Sequence, residues 1–147
     1  MNFDHITPER LHSVWAHVER GLERVREVGK ERWLSEDIFC NLRINRVQLY
    51  MGYDAEKYLG FFILEPKREI FTNEPYMNVW ALYAEPQDGA EHFAGVEGFV
   101  SETMAYIDEL AKKAGSQWIA MAGRKGWERY LKGYFEPVRT MFERKLT

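Results

Sequence analysis

Few reactive side chains in this 147-residue chain are spaced so that spacing alone identifies a reaction centre. The histidines are His5, His12, His17 and His92. His12 and His17 fall off the i, i+4 register that lets two side chains of one helix ligate a metal together, so no metal site is expected. Cys40, the single cysteine, stands among Ile38, Phe39 and Leu42 and reads as a small core side chain rather than a nucleophile. Ser101 and Ser116 lack the strand–turn–helix context of a nucleophile elbow. The strongest charge asymmetry lies after Gly123, where Arg124, Lys125, Arg129, Lys132, Arg139, Arg144 and Lys145 stand against Glu128, Glu136 and Glu143. Such a cluster can reach a phosphate, an acidic partner or nucleic acid, but a solvated face with weak ion pairs is the plainer expectation.

The whole-chain balance narrows the classes. Twenty basic residues against 23 acidic ones give a net charge of −3, which argues against a general nucleic-acid binder. A lone cysteine excludes an internal disulfide framework and a cysteine-rich zinc module. At 46% hydrophobic and 29% charged, the composition is that of a chain that folds around a core. Residues 1–147 are read as a single domain. No apolar run approaches the roughly 20 residues needed to cross a bilayer, and Met1 to Pro8 lacks the basic-then-apolar order of a signal peptide.

Hydrophobic period marks the elements that must position any site. Thr7-Pro8-Glu9 is a helix start, with a hydroxyl cap, a proline and an acid facing the positive dipole end. Leu11, Val14, Trp15, Val18, Leu22 and Val25 follow at helical spacing up to Gly29. Ser35-Glu36-Asp37 opens a shorter helix with Ile38, Phe39 and Leu42 inward. Val47, Leu49, Met51 and Tyr53 alternate as a strand, and the nearly all-apolar run Tyr58 to Leu64 pairs with it as a hairpin, buried on both faces. Glu65 to Pro75 reads as an irregular connection. Met77 to Ala84 is a third strand, with Met77, Val79, Ala81 and Tyr83 on one face and Asn78, Trp80, Leu82 and Ala84 on the other. A glycine- and acid-rich loop then leads into a long helix with Val96, Phe99, Val100, Met104 and Ile107 inward, ending at Gly115. Gln117 to Ala122 is a short strand, Gly123 to Lys132 a short basic helix, and Val138 to Leu146 a final alternating strand. The order α-α-β-β-β-α-β-α-β predicts an α/β (α+β) sandwich: a mixed, mostly antiparallel sheet flanked by helices, with one crossover that makes its strand pair parallel.

This order, with strand–helix–strand at its centre, resembles the GNAT (Gcn5-related N-acetyltransferase) fold over nearly the whole chain. The likeness is sharpest at the end, where Gly126-Trp127-Glu128-Arg129-Tyr130-Leu131-Lys132-Gly133-Tyr134-Phe135-Glu136-Pro137-Val138-Arg139 precedes Met141-Phe142-Glu143-Arg144-Lys145-Leu146. That stretch is similar to the family's closing segment, and the Gly-Trp variant looks most like small GNAT-like proteins encoded by tailed bacteriophages. The resemblance implies transfer of an acetyl group from acetyl-CoA to a small-molecule or peptide amine. Its alternative is a catalytically degenerate phage protein that binds other phage or virion proteins. It also implies a location in the host cytoplasm or on the virion, without membrane or nucleic-acid partners.

Enzymes of this fold hold acetyl-CoA between two strands that part, with the pyrophosphate on N–H groups of the following helix, where unsatisfied donors and the dipole favour an anion. By resemblance, Tyr83 and Ala84 are the main-chain positions for the pantetheine, Gly95 and Gly98 serve the phosphates, and Arg124 reaches a CoA phosphate. The family's loop usually reads Gln/Arg-x-x-Gly-x-Gly/Ala. No frame between Glu85 and Gly98 matches it, and Glu85, Asp88, Glu91 and Glu97 make an acidic rim without Lys or Arg. Tyr130 is the candidate general acid for the departing thiolate, with Tyr134 a weaker one, because the Trp127 indole cannot lend a proton in this role. Glu85 is the candidate base, with His92 beside it in the loop.

Overall fold

The computed structural model describes residues 1–86, 91–123 and 125–146, and of residues 91–94 and 125 the backbone alone. Its strands are β1 (Asn2–Ile6), β2 (Gln48–Asp54), β3 (Lys57–Arg68), β4 (Pro75–Ala84) and β5 (Ile119–Met121). Its helices are α1 (Leu11–Gly29), α2 (Ser35–Arg43), α3 (Glu91–Lys113) and α4 (Glu128–Leu131), with 3-10 turns at Pro8–Arg10 and Lys125–Trp127. The strands lie side by side in chain order, β1 to β4 antiparallel and β4–β5 parallel across the α3 crossover. This is the mixed, mostly antiparallel sheet between helical layers that the periodicity predicts.

Each face of the sheet has its own core. On one, Leu11, Val18 and Leu22 of α1 and Ile38 and Leu42 of α2 cover Leu49, Met51, Phe61 and Ile63. On the other, Val96, Phe99, Val100, Met104 and Ile107 of α3 cover Phe62, Leu64, Val79 and Leu82. The apolar run of β3 therefore serves both layers, as a strand buried on both faces must. Gly60 is what lets β3 and β4 meet at that point. Its φ is +150°, and a Cβ there would lie 2.1 Å from the Tyr83 carbonyl oxygen and 2.9 Å from the Phe99 ring. Gly21 does the same for α1, since a Cβ would stand 2.6 Å from Phe61 and 2.8 Å from Tyr83.

Several expectations need correction. Residues 2–6 form a strand: Phe3 packs its ring against Phe62 and Tyr106, and Asn2 to Ile6 pair with Tyr53 to Leu49. Thr7 makes no side-chain cap, and the first helix begins as a 3-10 turn. Cys40 is exposed rather than in the core. The segment expected as an irregular connection is strand at its two ends, because β3 runs on to Arg68 and β4 starts at Pro75, and only 69–74 connect them. The two faces assigned to β4 are also broken. Ile63 pairs with Ala81 while Leu64 pairs with Val79, so Trp80 is an extra residue, a β-bulge. Below it Met77 and Val79 face α3; above it Ala81 and Tyr83 face α1, with Trp80 against Trp33. Finally, no strand forms at 138–146, whose residues are exposed and extend past the sheet without joining it. Alternation gave that segment a strand's pattern, but in a single chain no edge receives it.

Candidate active site

The bulge in β4 precedes a change in its neighbours. β4 stays paired with β3 as far as Gly60–Ala84, but with β5 only through Met77–Ile119, Asn78–Ala120 and Val79–Met121. Residues 80–84 therefore have one open edge, with no strand beside it among the described residues. The phase of that edge follows from the Glu85 N–H, which donates to the Leu59 carbonyl at 2.8 Å. Successive N–H groups of a strand point to opposite sides, so Leu82 and Ala84 direct theirs away from β3, toward the opening. β4 then leads through residues 85–90 to the start of α3, whose first-turn N–H groups have no partner within the helix.

At the exit of β4, on the α1 side, five polar side chains gather. The Arg20 guanidinium donates to Glu85 Oε1 at 3.0 Å, with the Glu85 side chain only 24% exposed. The Tyr83 hydroxyl is pushed up to about 12, by burial first and then by the charge of Glu85 and a hydrogen bond donated to it. Tyr58 is raised further for the same first two reasons, burial and Glu85, and its buried hydroxyl has no hydrogen-bond partner among the described residues. The His17 ring lies 5.6 Å from that of Tyr58. Gly21 permits this arrangement, because it lets α1 sit close enough for the preceding residue, Arg20, to reach across to β4.

The sequence-predicted residues are distributed as follows. Tyr83, Ala84 and Glu85 are consecutive at the β4 exit, as expected. Gly95 and Gly98 are not at the start of α3: the helix begins at Glu91, so their N–H groups fall where the intrahelical ladder uses them. Tyr130 sits on α4 among the side chains packed on the α3 face, whereas Glu85 pairs with α1 on the other face, so the sheet separates the two. The Tyr130 hydroxyl accepts from the Arg129 guanidinium at 2.7 Å, and Trp127 packs edge-on at 5.7 Å. Tyr134 is about half exposed. Arg124 lies outside the described residues, as does the side chain of His92. Arg20 and Tyr58 went unseen: Arg20 reads as part of a solvated helix face, and Tyr58 as one more aromatic in an apolar strand. The available signal was Gly21, a glycine inside the apolar stripe of α1, which marks close approach.

No protein-family model matches the sequence, and no curated relative does. Solved structures do match over almost the full chain. One is a ribosomal-protein-alanine N-acetyltransferase from Brucella melitensis biovar Abortus 2308, with a TM-score of 0.69 at 11% identity, covering 99% of this chain and 100% of that one. A second is a predicted acetyltransferase with acetyl-CoA from Clostridium acetobutylicum, with a TM-score of 0.68 at 14% identity, covering 98% and 95%. A third is a GNAT family acetyltransferase from Staphylococcus aureus, with a TM-score of 0.65 at 11% identity, covering 98% of each chain. The chain has the GNAT fold. At 11–14% identity these neighbours carry the fold, and none of them is a phage or virion protein of the kind expected from the closing segment. Among the described residues, no helix is long and apolar enough to cross a membrane.

Proposed function

We propose that this GNAT-fold chain is an acyl-CoA-dependent N-acetyltransferase that uses acetyl-CoA as donor and an amine as acceptor. The observation that carries the reading is the open edge of β4 from Trp80 to Ala84, which presents the N–H groups of Leu82 and Ala84 beside the chain's path into α3. A pantetheine arm carries amides and lies along such an edge as an added strand does. The phosphates then fall to the first turn of α3, where backbone donors and the dipole favour anions despite the acidic rim. Arg124 remains the candidate for a further phosphate contact.

When bound, acetyl-CoA supplies an acetyl group activated as a thioester. The chain's own groups handle protons. Glu85, held by Arg20 beside the Tyr58 and Tyr83 hydroxyls, takes a proton from the acceptor ammonium so that the amine is nucleophilic. Tyr130, whose oxygen accepts from Arg129, donates its O–H to the leaving thiolate from the opposite face. Having acid and base on different sides of the opening suits a reaction in which donor and acceptor enter from different sides.

The test is thermal unfolding with acetyl-CoA, followed by a thiol-release assay against an amine panel. Ligand at 100 times its Kd stabilises a fold by about 2.7 kcal/mol, so the melting temperature should rise by several degrees. Glu85→Gln should keep that rise and lose turnover. No rise at millimolar acetyl-CoA overturns the proposal.

A further inference from the structure

The segment after α4 is exposed in a way a soluble surface rarely is. Val138, Met141, Phe142 and Leu146 are 80%, 78%, 89% and 79% exposed, four large apolar side chains within nine residues. Among the described residues, the side-chain ion pair tying this tail to the body is Arg32–Glu143 at 3.2 Å, itself largely exposed and so of little value. Extended, the tail has period two: Val138, Phe142 and Leu146 share one face with Thr140 and Arg144, while Arg139, Glu143 and Lys145 share the other with Met141.

A place of matching shape exists beside β5. That strand ends the sheet, and its outer edge pairs with no strand among the described residues. Next to it a cavity of about 400 Å³ opens between β5 and the second half of α3. Met104, Ala111, Trp118 and Ile119 form its apolar wall, and at its side stand exposed groups of both signs, Asp108 and Lys112, as the tail itself carries Glu143 among Arg139, Arg144 and Lys145.

The tail of the same chain is badly placed to fill it. Gly133, Tyr134 and Phe135, the root of the tail, already line this cavity. Residues 138–146 would have to reverse within Glu136 and Pro137 to return to it. Proline fixes its own φ and drives the preceding residue away from the helical region, so the chain leaves the cavity extended. A two-fold arrangement removes the conflict, because each root then lies beside the other copy's cavity.

We infer that residues 136–146 are an exchange arm: in a dimer of this chain, each arm adds a strand to the outer edge of the other copy's β5 and seats Phe142 in the other copy's cavity. Sedimentation velocity of the full chain from 5 to 200 µM should then give a particle of twice the 17.4 kDa chain mass. The double variant V138D/F142D should keep the circular dichroism spectrum and raise the dimer Kd at least about 100-fold. Exchange in trans is read separately by mixing two variants on a Cys40→Ser background, one carrying Gln117→Cys and the other Phe142→Cys. A disulfide-linked heterodimer is expected on oxidation. A monomer at 200 µM, a dimer that survives V138D/F142D, or a bond that forms only within a chain carrying both cysteines each overturns the proposal. None of these readouts depends on acetyl-CoA, so the arm and the activity stand or fall separately.

Discussion

Gly21 and Gly98 both lie inside long helices, yet replacing each with alanine should change stability in opposite directions. Alanine in a helix interior is favoured over glycine by about 1 kcal/mol through propensity alone. At Gly98 nothing lies within 4 Å of an added Cβ, so the gain is kept and the melting temperature should rise by about 3 °C. At Gly21 the Cβ would stand 2.6 Å from Phe61 and 2.8 Å from Tyr83, well inside the 3.4 Å of ordinary contact. Two aromatic rings wedged between α1 and the sheet cannot both step aside, and overpacking of this kind costs about 1–3 kcal/mol. The net at Gly21 is then a loss of about 1 kcal/mol, a fall of about 3 °C, leaving the variants about 6 °C apart. Scanning calorimetry of the pair in one buffer reads that gap directly. If Gly21→Ala melts as high as Gly98→Ala, α1 does not approach β4 as described, and the Arg20–Glu85 contact built on that approach goes with it.

Further expectations follow from the same contacts. Gly60→Ala combines a positive φ with a Cβ 2.1 Å from a carbonyl oxygen, so it should cost at least about 3 kcal/mol and yield little folded protein in a solubility and circular dichroism screen. Phe99→Ala, which empties the ring covering Gly52 and Gly60, should lose about 3–5 kcal/mol in urea unfolding. Tyr83 is held above its ordinary value, to about 12, so the folded state keeps a proton that the unfolded chain releases above pH 10. Its contribution is therefore complete below pH 10 and lost as pH rises toward 12, and Tyr83→Phe should flatten that part of the stability profile. Glu69 is held below the usual carboxylate range by the N–H groups of Thr72 and Phe71, each at 2.7 Å. The turn it caps should accordingly loosen as pH falls below about 4.5, read as faster amide exchange at Phe71 and Thr72.

What the sequence makes legible is what local pattern controls. The stripe Leu11–Val18–Leu22, the doubly buried run in β3 and the crossover order emerge from periods of 3.6 and 2, and with them the sheet and its layers. Features settled by distant partners do not. Asn2–Ile6 is five residues with Asp4 and His5 inside; only the edge of β2 and the rings of Phe62 and Tyr106 make it a strand. Trp80 carries no sign that it is an extra residue, so strict alternation assigned the upper half of β4 to the wrong faces. The tail shows the reverse error, a strand's pattern with no partner in its own chain. At the candidate site, Tyr83, Ala84 and Glu85 could be placed at the end of β4 because a strand end next to a glycine-rich loop is visible in sequence. Arg20 was not, because its role depends on how closely one helix lies on the sheet 65 residues away.

The three-residue pairing of β4 with β5 also leaves a kinetic trace. Along the upper part of β4, the amides of Tyr83 and Glu85 are tied to β3 while those of Leu82 and Ala84 point to the side where, among the described residues, no strand lies to receive them. In deuterated buffer, neighbouring positions on one strand should therefore exchange on alternating slow and fast clocks, a comb pattern at odds with the uniform protection of a central strand. A molecule that lies along that edge would fill the gaps in the comb one tooth at a time, so its seat and its length could be counted amide by amide before any product is measured.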